Sequence, residues 1–143
     1  MSETDTGETM ETTKADGLSE LLERVEKATG PDREMDARIC AAIDFREDWM
    51  KGDTTPLMWR SNGHVSMGKN GPGYRTPEIT ASLDAALALV NEKLPGCQWT
   101  VEPGLCWIRV LTANDVDEFQ GASACTPIAV LSALLRTLIA ERS

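Results

Sequence analysis

The sequence has few histidines and few aromatic residues other than tryptophan. Its 143 residues include one histidine, one tyrosine and two phenylalanines, against four tryptophans. A zinc site needs several nitrogen or sulfur ligands at close and regular spacing. His64 and four scattered cysteines do not provide that spacing, so the sequence predicts no metal site and no cofactor.

Long hydrophobic runs are missing as well. No apolar stretch approaches the roughly 20 residues of a membrane-spanning helix, and the first residues lack the basic and apolar regions of a signal peptide. The four cysteines lie far apart among apolar residues, at Cys40, Cys97, Cys106 and Cys125. Such a pattern is typical of buried free thiols in a reducing compartment, so we expect a cytoplasmic protein with no membrane contact.

Basic residues are outnumbered by acidic ones. The chain has 14 Lys and Arg against 23 Asp and Glu, a net charge of −9. This balance repels phosphate backbones, so we expect no direct nucleic-acid binding. Residues 1–16 are rich in Thr and Glu and predict a disordered acidic tail, and residues 17–142 have the length and composition of one domain.

Four helices are predicted from the spacing of apolar residues and from capping signals. They cover residues 17–29, 31–43, 82–90 and 126–139. Gly30 is expected to close the first helix in the left-handed conformation, and Pro31 to occupy the first position of the second. Ser82 and Thr126 are the expected N-caps of the third and fourth helices.

Two β-hairpins are predicted, one on each side of the third helix. Their strands cover residues 57–59 and 64–67, and residues 97–102 and 105–111. Asn62-Gly63 is the turn of the first hairpin and Pro103-Gly104 is the turn of the second. The glycine-rich residues 68–73 are expected to be loop, and the polar residues 112–123 a connection.

The register of the second hairpin follows from its turn. Val101 is expected opposite Cys106, and Trp99 opposite Ile108, which gives an apolar face with Trp99 in the core. The other face of this hairpin is too apolar for open solvent, so we expect both faces to be at least partly covered.

The order of these elements, ααββαββα, excludes a doubly wound parallel sheet because the strands occur in hairpins. We therefore predict an α+β fold, a three-layer α/β/α sandwich in which helices cover both faces of a small, mostly antiparallel sheet.

Aromatic and basic residues gather in the irregular middle of the chain. The candidate ligand- or partner-binding residues are Trp49, Trp59, Arg60, His64, Lys69, Tyr74 and Arg75. In an acidic protein such a cluster is typical of a groove for an anionic ligand or an acidic partner. Packing of this region onto the sheet is the alternative interpretation.

Residues 63–70 approximate a phosphate-binding loop, G-x4-G-K-[ST]. Asn70 stands where the motif needs a hydroxyl for magnesium, and prolines follow where a helix is required. The segment therefore predicts a turn and a loop rather than nucleotide hydrolysis. Anion binding by Lys69, Arg75 and backbone amides stays open.

No catalytic residue is assigned. His64 and Ser66 share a strand face and have the types of a base and a nucleophile, yet a histidine beside a turn is usually just solvated. Asp115, Asp117 and Glu118 are carboxylates in one segment, but they lack the glycine of a calcium-binding EF-hand loop.

Three segments together resemble a known family. They are ATGPDREMD at residues 28–36, TASLDAALALV at 80–90, and TPIAV at 126–130 followed by LLR at 134–136. Their order and separation are similar to those of the phage ABA sandwich domain, a family of small proteins of tailed bacteriophages and prophages. The resemblance covers residues 18–140 and implies a helix–sheet–helix sandwich and a phage origin, but no reaction and no functional residues.

We therefore expect a non-enzymatic phage or prophage accessory protein that binds a host or phage factor through residues 46–74. An inhibitor of host defence is one example of such a protein. Sequestration of an anionic small molecule such as a nucleotide is the alternative, and a small enzyme using His64 is the second alternative. The wide apolar stripe of the last helix, together with that of the first, also leaves a homodimer open.

Overall fold

The computed structural model describes residues 14–43, 57–59, 63–67, 73–111 and 115–141. Its helices are α1 (Lys14–Lys27), α2 (Arg33–Cys40), α3 (Leu83–Lys93) and α4 (Thr126–Glu141). Its strands are β1 (Leu57–Trp59), β2 (His64–Met67), β3 (Gly73–Arg75), β4 (Gln98–Glu102), β5 (Leu105–Leu111) and β6 (Val116–Ala122). They form two antiparallel three-stranded sheets, β1-β2-β3 and β4-β5-β6, which confirms the α+β class.

Both predicted hairpins gain a third strand. Strand β3 pairs with β2, and β6 pairs with β5 along its whole length. The expectation that residues 112–123 are only a polar connection is therefore wrong, and the described elements follow the order ααβββαβββα. The pattern of β6 is hard to detect because Asp117 and Gly121 occupy two of its three core-side positions, where alternation would place apolar side chains.

The register of the second hairpin is confirmed. Trp99 pairs with Ile108 and Val101 pairs with Cys106 across β4 and β5. Gly104 turns the chain with φ of +80°, a left-handed conformation that glycine adopts without steric cost.

The start of α2 differs from the prediction. Asp32 is the N-cap, and its carboxylate accepts hydrogen bonds from the backbone N–H groups of Glu34 and Met35. Pro31 therefore precedes the cap rather than opening the helix, because an aspartate side chain satisfies the free amides that a proline cannot. Gly30 does not take the left-handed conformation expected of it.

The cap of α3 is confirmed, and that of α4 is not. The hydroxyl of Ser82 accepts a hydrogen bond from the N–H of Ala85 at 3.1 Å. Thr126 lies inside α4 instead, and its hydroxyl accepts a hydrogen bond at 3.0 Å from the N–H of Gly104 in the β4–β5 turn.

Helix α4 is the centre of the core. It contacts α1, α3, β5 and β6, and all residues from Ile128 to Leu135 are buried. Strand β6 approaches it most closely at Gly121, where an added Cβ would lie 2.6 Å from the backbone nitrogen of Ala133. The apolar stripes of α1 and α4 thus cover each other within one chain, so the surface that left a homodimer open is occupied here by the chain itself.

No helix in the described part of the chain combines the length and the apolar content needed to cross a membrane. Helix α1 begins at Lys14, so three residues of the predicted tail are helical. Residues 1–13 lie outside the described residues.

Candidate functional site

Four of the seven predicted binding residues belong to the β1–β3 sheet. In the backbone register, Trp59 pairs with Val65, Val65 with Tyr74, and His64 with Arg75. Trp49, Arg60 and Lys69 lie outside the described residues.

Three basic residues, Arg33, His64 and Arg75, lie near one end of this sheet. Arg33 of α2 donates a hydrogen bond to the carbonyl of Thr76 at 2.8 Å, and its guanidinium lies against Gly63. It therefore lies at the Gly63–Thr76 pair, one residue along the strands from the His64–Arg75 pair. Sequence reasoning missed Arg33 because it lies about thirty residues before the irregular middle of the chain.

The charge at this basic end is largely balanced by carboxylates. Arg33 forms an ion pair of 2.6 Å with Asp36, and Arg75 forms one of 3.1 Å with Glu78. An anionic ligand would compete with these carboxylates, so the basic end is a poor preformed anion site.

Asp36 is the centre of a buried polar network. Its side chain is fully buried, and one carboxylate oxygen accepts the bond from Arg33. The other oxygen accepts two bonds of 2.8 Å, from the backbone N–H and from the hydroxyl of Thr80. The carboxylate is saturated with donors, which is typical of a structural charge.

The same network connects the first two segments that carry the family resemblance with Cys125, the residue that precedes the third. The hydroxyl of Thr80 also accepts a hydrogen bond from the N–H of Asp32, and the thiol of Cys125 donates to the carbonyl of Thr80 at 3.5 Å. Residues 28–36, 80–90 and the start of α4 therefore meet at one point. Their sequence pattern is explained by packing and hydrogen bonding.

The cysteines are free, as predicted, but only Cys40 and Cys106 are fully buried. Burial, with a smaller effect from Cys97, raises the pKa of Cys106 to about 11. Burial likewise raises the pKa of Cys97. Neither thiol is a ready nucleophile at neutral pH, because the thiolate is the reactive form.

The acidic residues near β6 have structural partners. Glu118 forms an ion pair of 2.8 Å with Arg109 across the sheet, and Asp115 accepts a hydrogen bond from the N–H of Val116. Among the described residues, no group of three or more His, Cys, Asp or Glu side chains is arranged to hold a metal ion.

Among the residues that the structure describes, only one face of the β4–β6 sheet is covered. Its covered face, with Cys106, Ile108 and Gly121, packs against α4. The opposite face, called the open face below, consists of Gln98, Thr100, Glu102, Leu105, Trp107, Arg109, Leu111, Val116, Glu118, Gln120 and Ala122. Leu105 and Trp107 are half-buried and the others are exposed.

The described residues therefore do not provide the second helical layer that the sequence predicts for this sheet. Leu111 is 65% exposed and Val116 is 49% exposed. Trp99, expected in the core, is also 38% exposed. It lies on the edge strand β4, where its indole N–H donates to the side chain of Asn91 at 3.0 Å.

The apolar residues of the open face all lie on β5 and β6. Its β4 residues are all polar, whereas β5 and β6 face each other in four pairs, Leu105–Ala122, Trp107–Gln120, Arg109–Glu118 and Leu111–Val116. Two of these pairs are apolar and one is an ion pair. The β5–β6 part of the open face thus combines exposed apolar area with balanced charge, and Glu102 on β4 adds one negative charge beside it.

No protein-family model, curated protein or solved structure matches this chain. The resemblance to the phage ABA sandwich domain stays a prediction from the three sequence segments.

Proposed function

We propose that this chain is a non-enzymatic binding protein and that it contacts a protein partner through the open face. The observation that carries the proposal is the exposure of Leu111 and Val116 beside each other on the outer surface of a regular sheet. In the phage or prophage setting that the resemblance implies, the partner is a host or phage factor.

The energetics of the open face support binding. An antiparallel sheet with one face in water normally carries polar residues on that face. Burying the exposed part of Leu111 and Val116 would contribute about 1–2 kcal/mol each, since full burial of such a side chain contributes about 1.5–3 kcal/mol and roughly half of each is still exposed. A partner lying on the open face would also complete the three-layer sandwich that the sequence predicts.

The state of the buried reactive groups also favours binding over catalysis. Cys106 is held as a neutral thiol by its raised pKa, and Asp36 is occupied by Arg33 and Thr80. Both groups act in the fold rather than on a substrate.

Site-specific cross-linking in the native host tests this proposal. A photo-cross-linking residue at Val116 should form adducts with a protein, and the substitution Leu111→Lys in the same chain should abolish them. The matched control is the same residue at Ala88, an exposed position on α3. Equal adduct formation at both positions, or none at either, would contradict the proposal.

A second candidate function is the binding of an anionic small molecule at the basic end of the β1–β3 sheet. Arg33, His64 and Arg75 lie near one end of this sheet in a chain of net charge −9, and an anion bound there would displace Asp36 or Glu78 from its arginine. A nucleotide panel should then raise the melting temperature of the wild-type chain but not of Arg75→Gln. The absence of a shift with every nucleotide would exclude this candidate.

A further inference from the structure

We propose that the open face binds the open face of a second copy of this chain, giving a weak two-fold symmetric dimer. This inference rests on the proposed function, because it takes the open face as the contact surface and adds the identity of the partner.

The pairing of β5 with β6 makes the open face complementary to itself. A two-fold axis parallel to these strands and midway between them would place β5 of one copy over β6 of the other. Arg109 of each copy would then lie over Glu118 of its partner, and Leu111 over Val116. Leu105 would lie over Ala122 in the same way and Trp107 over Gln120, so each charge meets its opposite and two of the four contacts are apolar on both sides, as suits an isologous interface.

The alternative axis is less favourable. A two-fold axis perpendicular to the strands, centred on the Arg109–Glu118 pair, would place each arginine over the partner's arginine and each glutamate over the partner's glutamate. Like charges opposed across an interface cost several kcal/mol. The charge pattern therefore selects the axis parallel to the strands.

The position of β4 fits the same geometry. With the axis between β5 and β6, β4 lies beyond the edge of the contact, and its open-face residues Gln98, Thr100 and Glu102 are all polar and exposed. An apolar centre with a polar rim is the usual anatomy of a protein interface. The balanced charge of the centre also limits the repulsion between two chains of net charge −9.

The area of the contact indicates a weak dimer. Two strands spaced about 4.8 Å apart and seven residues long give a footprint about 10 Å wide and about 24 Å long. This footprint of about 240 Å² per copy is well below the roughly 800 Å² per partner of a standard specific interface. We therefore expect a monomer–dimer equilibrium that depends strongly on protein concentration.

Sedimentation velocity of the purified full chain tests the proposal with two charge reversals. Wild-type protein should shift from monomer to dimer between micromolar and millimolar concentration. Arg109→Glu alone and Glu118→Arg alone should each weaken dimerisation at least tenfold, because each places like charges opposite one another. An equimolar mixture of the two variants should dimerise again, because both intermolecular pairs are then of opposite charge.

The substitution Leu111→Lys is the second variant, since its side chain is exposed and the change leaves the core intact. It should also weaken dimerisation at least tenfold, whereas Ala88→Lys on α3 should not. A dimer that survives Leu111→Lys, or a mixture of the charge reversals that stays monomeric, would overturn the inference.

The outcomes also separate this inference from the proposed function. A wild-type chain that is monomeric at every concentration, yet cross-links from Val116 to a different protein in the host, overturns the dimer and retains the binding function. A monomer that forms no adduct at Val116 overturns both.

Discussion

At the scale of single residues, the fold depends on a few polar groups whose partners are distant in sequence. Asp36 and Thr80 are separated by 44 residues and joined by two hydrogen bonds of 2.8 Å. The cap at Ser82 was predicted from local sequence, and the one at Asp32 is equally local although Pro31 obscured it, since each cap bond is made within three residues. The Asp36–Thr80 pair cannot, because no local signal indicates which hydroxyl a buried aspartate will meet.

Thr80→Val is expected to destabilise the fold by about 1–3 kcal/mol, because it leaves the N–H of Asp32 and one oxygen of Asp36 short of a partner. Urea denaturation measures this difference. The control is Thr137→Val, another fully buried threonine, whose hydroxyl only adds a second bond to the helical carbonyl of Ala133. Equal losses in the two variants would contradict the role assigned to the network.

The thiol of Cys106 predicts a loss of stability at alkaline pH. Its pKa is about 11 in the folded chain and 9.0 in an exposed cysteine, so the unfolded chain releases this proton first. Stability that is fully present below pH 9 should therefore fall as the pH rises toward 11. The urea midpoint of the wild-type chain should decrease over this range, and that of the Cys106→Ala variant should decrease less. An identical decrease in the two chains would show that other groups control the loss of stability.

At the scale of elements, the turn residues explain what was predictable. Pro103-Gly104 fixes both the position and the register of the β4–β5 hairpin, and alternation along its strands does the rest. Strand β6 was missed because α4 approaches it so closely that only glycine fits at the core-side position 121. A glycine chosen for packing looks in sequence like a turn signal.

Gly121→Ala is expected to cost about 1–3 kcal/mol or more, because the added methyl group would meet backbone atoms of α4 that cannot rotate away. Gly30→Ala is the matched control, since its Cβ would meet nothing within 4 Å and its φ is not in the left-handed region. Gly30→Ala should be neutral or slightly stabilising. Thermal denaturation of the two variants compares them directly, and a neutral Gly121→Ala would contradict the packing of β6 on α4.

At the scale of the whole molecule, the sequence indicated a sheet too apolar to face water on its outer side. The described residues leave that side open, with Leu111 and Val116 exposed. The sequence could not show what covers this face. Apolar residues on a strand indicate that the face is buried, but they do not indicate whether the covering element belongs to the same chain. Four residues of the predicted binding cluster lie in the β1–β3 sheet. The residues of the open face were not predicted to bind anything, because the sequence analysis assigned them only to strands or to a connection.

Oxidative footprinting of the open face is the most direct test of the central claim, that this face is a contact surface. Leu111 and Trp99 lie on opposite faces of the same sheet, so Trp99 serves as an internal control within each sample. In extracts of the native host, oxidation of Leu111 should fall severalfold relative to the dilute purified chain, while oxidation of Trp99 stays the same. Equal oxidation of Leu111 in both samples would contradict the claim.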